Sequence, residues 1–180
     1  MSSIPNRAHI LTEQRNPHAA ELHRLDVAGI VALFNRENHA VLAALESAAP
    51  ALTSFIVAIE PGFVRGGRVV YLGAGTSGRL AVLDASEIPP TFQMPPDRII
   101  GLIAGGDGSL RRSSEGKEDE PHGAIPELQA MKLTSDDTVL GIAAGGTTPY
   151  ALGALEWAKM LPHPPHTGMI SCAPVPIPQG

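Results

Sequence analysis

Residues 69–92, VVYLGAGTSGRLAVLDASEIPPTF, decide the fold. The apolar run Val69–Leu72 leads into Gly73-Ala74-Gly75-Thr76-Ser77-Gly78, and a helix-compatible stretch, Arg79 to Ser86, follows. This is the pattern of a buried strand feeding a Gly/Ser/Thr turn at a helix N-terminus. Glycines there permit positive φ and close backbone approach. The helix start offers unpaired N–H groups and a positive dipole end, and the hydroxyls add donors, a combination that suits phosphate. Gly75, Thr76, Ser77 and Gly78 are therefore candidate phosphate-binding residues. Glu87 follows, just before Pro89-Pro90, where a helix is expected to stop. A carboxylate just beyond a phosphate cradle points to chemistry on a phosphorylated substrate.

The surrounding chain alternates strand and helix. Arg68–Leu72, Arg98–Ala104, Thr138–Ala143 and Thr167–Cys172 read as four short apolar strands. Helices are predicted at Arg79–Ser86, roughly 110–117, Ile125–Met131 and Tyr150–Met160. Short apolar strands separated by helices define an α/β sandwich with a parallel sheet. Ligands of such sheets bind at the carboxyl ends of the strands, so the site is expected where GAGTSG, AGG (104–106) and AGGTT (144–148) converge. The last of these supplies Gly146, Thr147 and Thr148 as further candidate phosphate or substrate contacts, with Pro149 at a favoured first helical position. A plain N-cap is the competing reading of Thr148. A dinucleotide site needs an acid near the end of the next strand. The glycine spacing of GAGTSG reads as different from the fingerprint, whose third glycine serves helix–strand packing; the next strand runs into Ala104-Gly105-Gly106-Asp107, with the acid offset, and no P-loop Lys-Ser/Thr follows. A small phosphate monoester is the expected ligand.

The chain has 180 residues, enough for one domain with an appendage, and is 43% hydrophobic and 17% charged. Its net charge of −5, with no clustered basic run, argues against nucleic-acid partners. The single cysteine, Cys172, fits a reducing cytoplasm, and the N-terminus lacks a signal-peptide pattern. No uninterrupted apolar run approaches the ~18 residues of a membrane span, so no membrane partner is expected. Residues 1–24 read as irregular. Helical spacing of apolar residues begins at Asp26 and extends past Leu45, and a second helix is expected from about Pro50 to Ile59, stopping near Pro61-Gly62. Residues 1–50 thus form a helical arm and 51–180 the sandwich domain. The proline-rich end, CAPVPIPQG, reads as a loop or linker.

Glu87 and Glu118 are the candidate acid/base pair. Glu118 lies in an acidic run, Glu115 to Glu120, whose default reading is a solvated surface. Arg79 could meet a ligand anion or be solvated, and Trp157 reads as helix packing. The seven histidines show no metal-like spacing, and neither metal nor cofactor is expected.

Together these residues resemble the SIS (sugar isomerase) fold, and specifically the N-acetylmuramic acid 6-phosphate etherases. The resemblance runs through TEQRNP (12–17), the stretch from Gly66 to Phe92, GLIAGG (101–106), EGKED (115–119), GIAAGGTTPY (141–150) and ISC (170–172). Glucokinase regulatory proteins share the GTSGR-like turn and an EG-x-ED-like segment but lack the glutamate matching Glu87. The resemblance implies an SIS-type three-layer sandwich preceded by the helical arm. It implies cleavage of the D-lactyl ether of N-acetylmuramic acid 6-phosphate to N-acetylglucosamine 6-phosphate and D-lactate. Glu87 matches the family's proton-donating acid and Glu118 its second catalytic glutamate. A homodimer is implied, with the 26–59 helices as its contact. A non-catalytic phosphosugar-binding module is the alternative. The second loop departs from the family, which commonly has Ser and Arg where this chain has Gly145 and Thr147. The family chain is also longer, so the resemblance implies truncation after the fourth strand and an incomplete sheet.

Overall fold

A computed structural model describes residues 11–174. The expectations for residues 1–10 and for the proline-rich tail from 175 onward lie outside them. The chain divides into two compact units, one up to Ala58 and one from Ile59 onward.

In the first unit, three single 3-10 turns, Leu11–Glu13, Pro17–Ala19 and Leu22–Arg24, precede helix α1 (Val27–Val64). The TEQRNP segment is tied down at its end. Asn16 Oδ1 caps the second turn by accepting from the His18 N–H at 2.8 Å, and Asn16 Nδ2 donates to Glu37 Oε2 at 2.8 Å. His18 Nδ1 lies 2.9 Å from Glu37 Oε1. The Asn16 bond, with His18 and Arg36 assisting, holds the Glu37 carboxyl below its usual range.

Helix α1 corrects two expectations. It is one helix of 38 residues rather than two, and it passes through Pro50 and Pro61. A proline removes only its own N–H bond to the carbonyl four residues earlier. Glu46, Pro50, Val57 and Pro61 are all exposed, so water can satisfy the two orphaned carbonyls. Beside Pro50, Thr53 Oγ1 donates to Ala49 O at 2.8 Å and Ser54 Oγ to Pro50 O at 3.0 Å. The continuous helix is also long and apolar enough, by length and composition, to cross a membrane. Counting uninterrupted apolar residues missed this, because Glu46, Ser47, Pro50, Thr53 and Ser54 punctuate the run.

The second unit is the expected parallel α/β sandwich. Strands β1 (Val69–Gly73), β2 (Ile99–Ile103), β3 (Thr138–Ile142) and β4 (His166–Ile170) form one parallel sheet in the order β2-β1-β3-β4. Val69 pairs with Ile99 on one side and Thr138 on the other, so β1 lies inside the sheet. Between the strands run α2 (Gly75–Phe92), α3 (Gly108–Arg111), α4 (Ile125–Ala130) and α5 (Pro149–Lys159). Alternate residues of β1 serve opposite faces. Val70 and Leu72 enter the main core with Val139, Leu128, Tyr150 and Ala154, the α4/α5 side. Tyr71 faces α2, where Asp84 lies beside its hydroxyl, and burial first, then Asp84, pushes that hydroxyl up to about 12. Helices on both faces of one sheet make three layers.

Two boundaries differ from expectation. Helix α2 continues through Pro89 and Pro90 to Phe92 and ends at Gln93, which takes a left-handed conformation with φ 53°. The two prolines fall in the last turns, where only the carbonyls of residues 85 and 86 lose donors. The helix expected over 110–117 is instead the single turn α3 followed by a loop and a 3-10 turn at Lys117–Asp119. Gly116, with φ 79°, breaks any helix there.

The GAGTSG turn is held by its backbone. Gly75 has φ 55°, a conformation glycine adopts freely. A Cβ on Gly78 would lie 2.5 Å from Gly73 O and 2.7 Å from Ile103 Cγ1, so α2 can rest on β1 only through this glycine. The glycines therefore do stand at G-x-G-x-x-G spacing, with Gly78 as the packing glycine. Only the offset Asp107 separates this turn from a dinucleotide fingerprint.

At the opposite edge of the sheet, Asp137 is 2% exposed. It accepts from Arg68 N (2.8 Å), Arg68 Nε and Nη2 (2.9 Å each) and Thr134 N (2.7 Å). Burial works against the carboxylate, but the Arg68 and Thr134 donors outweigh it and hold its pKa below the usual range.

Candidate functional site

A small cleft of ≈ 100 Å³ opens at the carboxyl edge of the sheet. Its floor and one wall are Ala74, Gly75 and Arg79 from the start of α2, with Ala104 from the end of β2. The other wall is the loop after β2: Ser109, Ser113, Ser114, Glu115, Gly116 and Glu118. The first N–H groups of α2 have no intrahelical acceptor, and the helix dipole makes that end attractive to an anion.

Arg79 fastens the two walls together. Its Nε donates to Leu110 O at 3.2 Å and its Nη2 to Arg112 O at 3.5 Å. It is therefore not the freely solvated first-turn residue of one reading. Behind it, Ser109 and Ser114 share a hydrogen bond of 2.5 Å, with Ser109 3% exposed. Ser113 Oγ donates to Glu115 Oε1 at 2.8 Å. Lys117 pairs with Glu120 at 2.8 Å, an exposed i,i+3 contact beside Glu118.

The sequence-predicted residues separate into groups. Gly75 and Glu118 meet in the cleft. Thr76 and Ser77 follow Gly75 in the first turn of α2, outside the cleft lining, and Gly78 is buried against β1. Gly146, with φ 68°, is buried, and Thr147 and Thr148 follow it ahead of α5. Thr148 occupies the N-cap position, yet its side chain makes no capping bond. The plain N-cap reading therefore leaves its hydroxyl unexplained. Glu87 lies twelve residues along α2 from Gly75, a rise of ~18 Å at 1.5 Å per residue. Glu87 and Glu118 are both exposed.

Sequence reasoning missed Ser109, Ser113 and Ser114. Their signal was the serine-bearing stretch between Gly106 and EGKED, but a helix placed over 110–117 would have scattered them over several faces. Farther back, burial and then Asp107 raise the Glu127 carboxyl, and burial followed by Glu127 raises the Tyr150 hydroxyl. Among the described residues no group of three or more His, Cys, Asp or Glu side chains could hold a metal ion.

A parallel sheet with helices on both faces, and with a glycine-rich helix start and a serine-rich loop at its carboxyl edge, is the architecture of an SIS-type α/β domain. Residues 52–159 match the family model of the glucokinase regulatory protein N-terminal SIS domain, and the chain belongs to this SIS family. Among curated relatives, the N-acetylmuramic acid 6-phosphate etherase of Gloeobacter violaceus is 51% identical over 158 residues, covering 88% of this chain and 52% of that protein. The enzyme of the same name from Actinobacillus succinogenes is 47% identical over 158 residues, with the same coverage. That of Picosynechococcus sp. is 45% identical over 174 residues, 97% of this chain and 57% of the relative. The chain spans about half the length of these relatives.

Proposed function

We propose that the protein cleaves the D-lactyl ether of N-acetylmuramic acid 6-phosphate, releasing D-lactate and leaving N-acetylglucosamine 6-phosphate. The observation that carries this reading is Glu118 set in one cleft with the N-terminus of α2, in a chain 51% identical to an etherase. The cleft is far smaller than the 300–1,000 Å³ of drug-sized ligand sites. Its size suits the phosphate end of the substrate rather than the whole amino sugar.

In the open-chain sugar, the C1 aldehyde acidifies the C2 proton, and lactate departs from C3. A base removes the C2 proton, the C3–O bond breaks, and an acid protonates the departing ether oxygen. Water then adds at C3 of the unsaturated intermediate while a proton returns to C2. Two carboxyl groups suffice for these transfers, and Glu87 and Glu118 are assigned to them. The Gly75–Gly78 turn and the Gly146–Thr148 turn hold phosphate and sugar, with Arg79 and the serine loop framing the cleft. The reaction is placed in the cytoplasm, in agreement with a lone free cysteine. The functional unit is a homodimer, with the exposed apolar side chains of α1, among them Val31, Phe34, Leu45 and Leu52, as its contact.

The test is D-lactate release from N-acetylmuramic acid 6-phosphate by this chain, with Glu118→Gln alongside. Release lost in the variant is expected; release unchanged by it would refute the assignment. The exposure of both carboxylates favours a second reading, a phosphosugar-binding module without turnover. That reading expects thermal stabilisation by the phosphosugar and no lactate.

A further inference from the structure

Helix α5 carries a seat for the segment that bears Glu118. From Glu115 to Gly123 that segment is exposed throughout. It turns on itself through local backbone bonds, Lys117 N to Ser114 O at 3.3 Å, Asp119 N to Gly116 O at 3.2 Å and Gly123 N to Glu120 O at 3.1 Å. Its near end is fixed at the cleft, where Ser114 meets the buried Ser109 at 2.5 Å. Its far end rests on α5. A Cβ on Gly153 would lie 2.9 Å from Pro121 Cα, 2.7 Å from its carbonyl carbon and closer still to its oxygen. One turn earlier, on the same face, the Tyr150 ring meets Gly123, where a Cβ would lie 3.0 Å from Tyr150 Cδ2. Glu118 stands between the two ends of the segment, a few residues before Pro121.

The two sides of this contact are not equally free to move. Helix α5 is held by Ala151, Ala154 and Ala158, all fully buried in the core with Val70, Leu72 and Val139. A close-packed interior transmits strain rather than absorbing it. The Glu118 segment has solvent on its outer side, so bulk added at position 153 is relieved by movement of the segment. Glycine inside a helix is less stable than alanine, so helix formation gives no reason for Gly153; the close seat for Pro121 does. The same helix begins directly after the Gly146–Thr148 turn. One rigid element therefore sets the position of both that turn and Glu118.

We infer that Gly153, backed by Tyr150, is a positioning residue for the reaction: it seats Pro121 against α5 and so fixes how far Glu118 stands into the cleft. Gly153 acts only through the Pro121 backbone. This inference rests on the proposed etherase reading for the role of Glu118, but the seating of the segment can be tested without it.

Gly153→Ala is compared with Ala158→Gly, which perturbs α5 toward its other end, away from Pro121. In amide correlation spectra of the isotope-labelled chain, Gly153→Ala is expected to shift the resonances of residues 115–123. Those of β2, on the far side of β1, stay in place, and Ala158→Gly leaves the segment unmoved. In the lactate assay, relief of the overlap by about 1 Å is expected to lower kcat of Gly153→Ala by about 10²-fold. KM changes far less, because the Gly75–Gly78 turn is untouched, and Ala158→Gly keeps the unmodified kcat. Segment resonances that stay in place in Gly153→Ala, or an unchanged kcat in an active chain, overturn the inference. An equal loss of kcat in both variants also overturns it, since that marks general destabilisation. Should Gly153→Ala fail to fold, Gly123→Ala presses the segment from its exposed side against the Tyr150 ring. It is expected to shift the same resonances, and a spectrum unchanged there overturns the seat. If the unmodified chain releases no lactate, the etherase reading fails for this chain, while the amide spectra still decide the seat.

Discussion

Replacing Asp137 with alanine tests how the sheet is anchored. Asp137 is 2% exposed, and its two oxygens receive three bonds from Arg68 and one from Thr134 N, at 2.7–2.9 Å. Truncation leaves the Arg68 guanidinium, 24% exposed, facing a cavity, with the backbone donors of Arg68 and Thr134 unpaired. Breaking one partner of a buried ion pair costs about 3–5 kcal/mol. For a chain of this size each kcal/mol moves Tm by about 2–4 °C, so the expected drop is roughly 6–20 °C. The assay is urea unfolding followed by far-UV circular dichroism, with an unchanged m-value required. The neighbouring Arg65–Asp136 pair provides the control: it is as short, 2.6 Å, but exposed, and Arg65→Ala should barely move the midpoint. A loss below ~1 kcal/mol in Asp137→Ala, or an equal loss in Arg65→Ala, would refute the reasoning. The pH dependence has a fixed sign. Asp137 has a lowered folded pKa, so its contribution is complete above the unfolded value of about 3.9 and is lost as pH falls through the folded one. The gap between wild type and variant should close only in strong acid.

Further expectations follow from other contacts. Gly78→Val should destabilise by about 1–3 kcal/mol or more through overpacking, since even a Cβ lies 2.5 Å from Gly73 O; a thermal melt matching wild type would contradict the packing. Tyr71 is pushed up to about 12, with burial the main cause. Its neutral form is thus favoured in the fold, and stability should fall by about 1.4 kcal/mol per pH unit between pH 10 and 12. Spectrophotometric titration showing Tyr71 ionising near pH 10 in the folded protein would exclude this. Pro50→Ala should stabilise α1, by an amount approaching the ~3 kcal/mol that separates the two residues in helix interiors; a change within error would mean that the helix already absorbs the proline.

The sheet was legible because each strand is a short apolar run closed by a glycine or small-residue turn, as Val69–Leu72 is by GAGTSG. Position in the sheet, with β1 inside, needed pairing information that no local pattern carries. The proline-based helix ends were misjudged for one reason. Pro50, Pro61, Pro89 and Pro90 each remove a single donor, and exposed or terminal carbonyls tolerate that loss. Half of the cleft was legible, since a glycine-rich helix start is a local signal. The serine wall was not, because Gly116 and the Arg79 bonds to Leu110 and Arg112 shape the loop through contacts more than thirty residues apart. Glu118 could be suspected from EGKED, but its place beside Gly75 could not.

The sheet order also bears on how the chain acquires its fold. Strand β1 is bordered on one side by a segment 30 residues later and on the other by one 69 residues later. The β1-α2-β2 unit can therefore assemble while β3 is still being synthesised, leaving the inner edge of β1 with unpaired backbone groups. Such an edge is a template for wrong partners, and parallel closures over long separations form slowly. Biogenesis is accordingly most vulnerable to aggregation in the interval between the emergence of residue 103 and that of residue 142. Nascent chains arrested within that window should be the ones that chaperones hold.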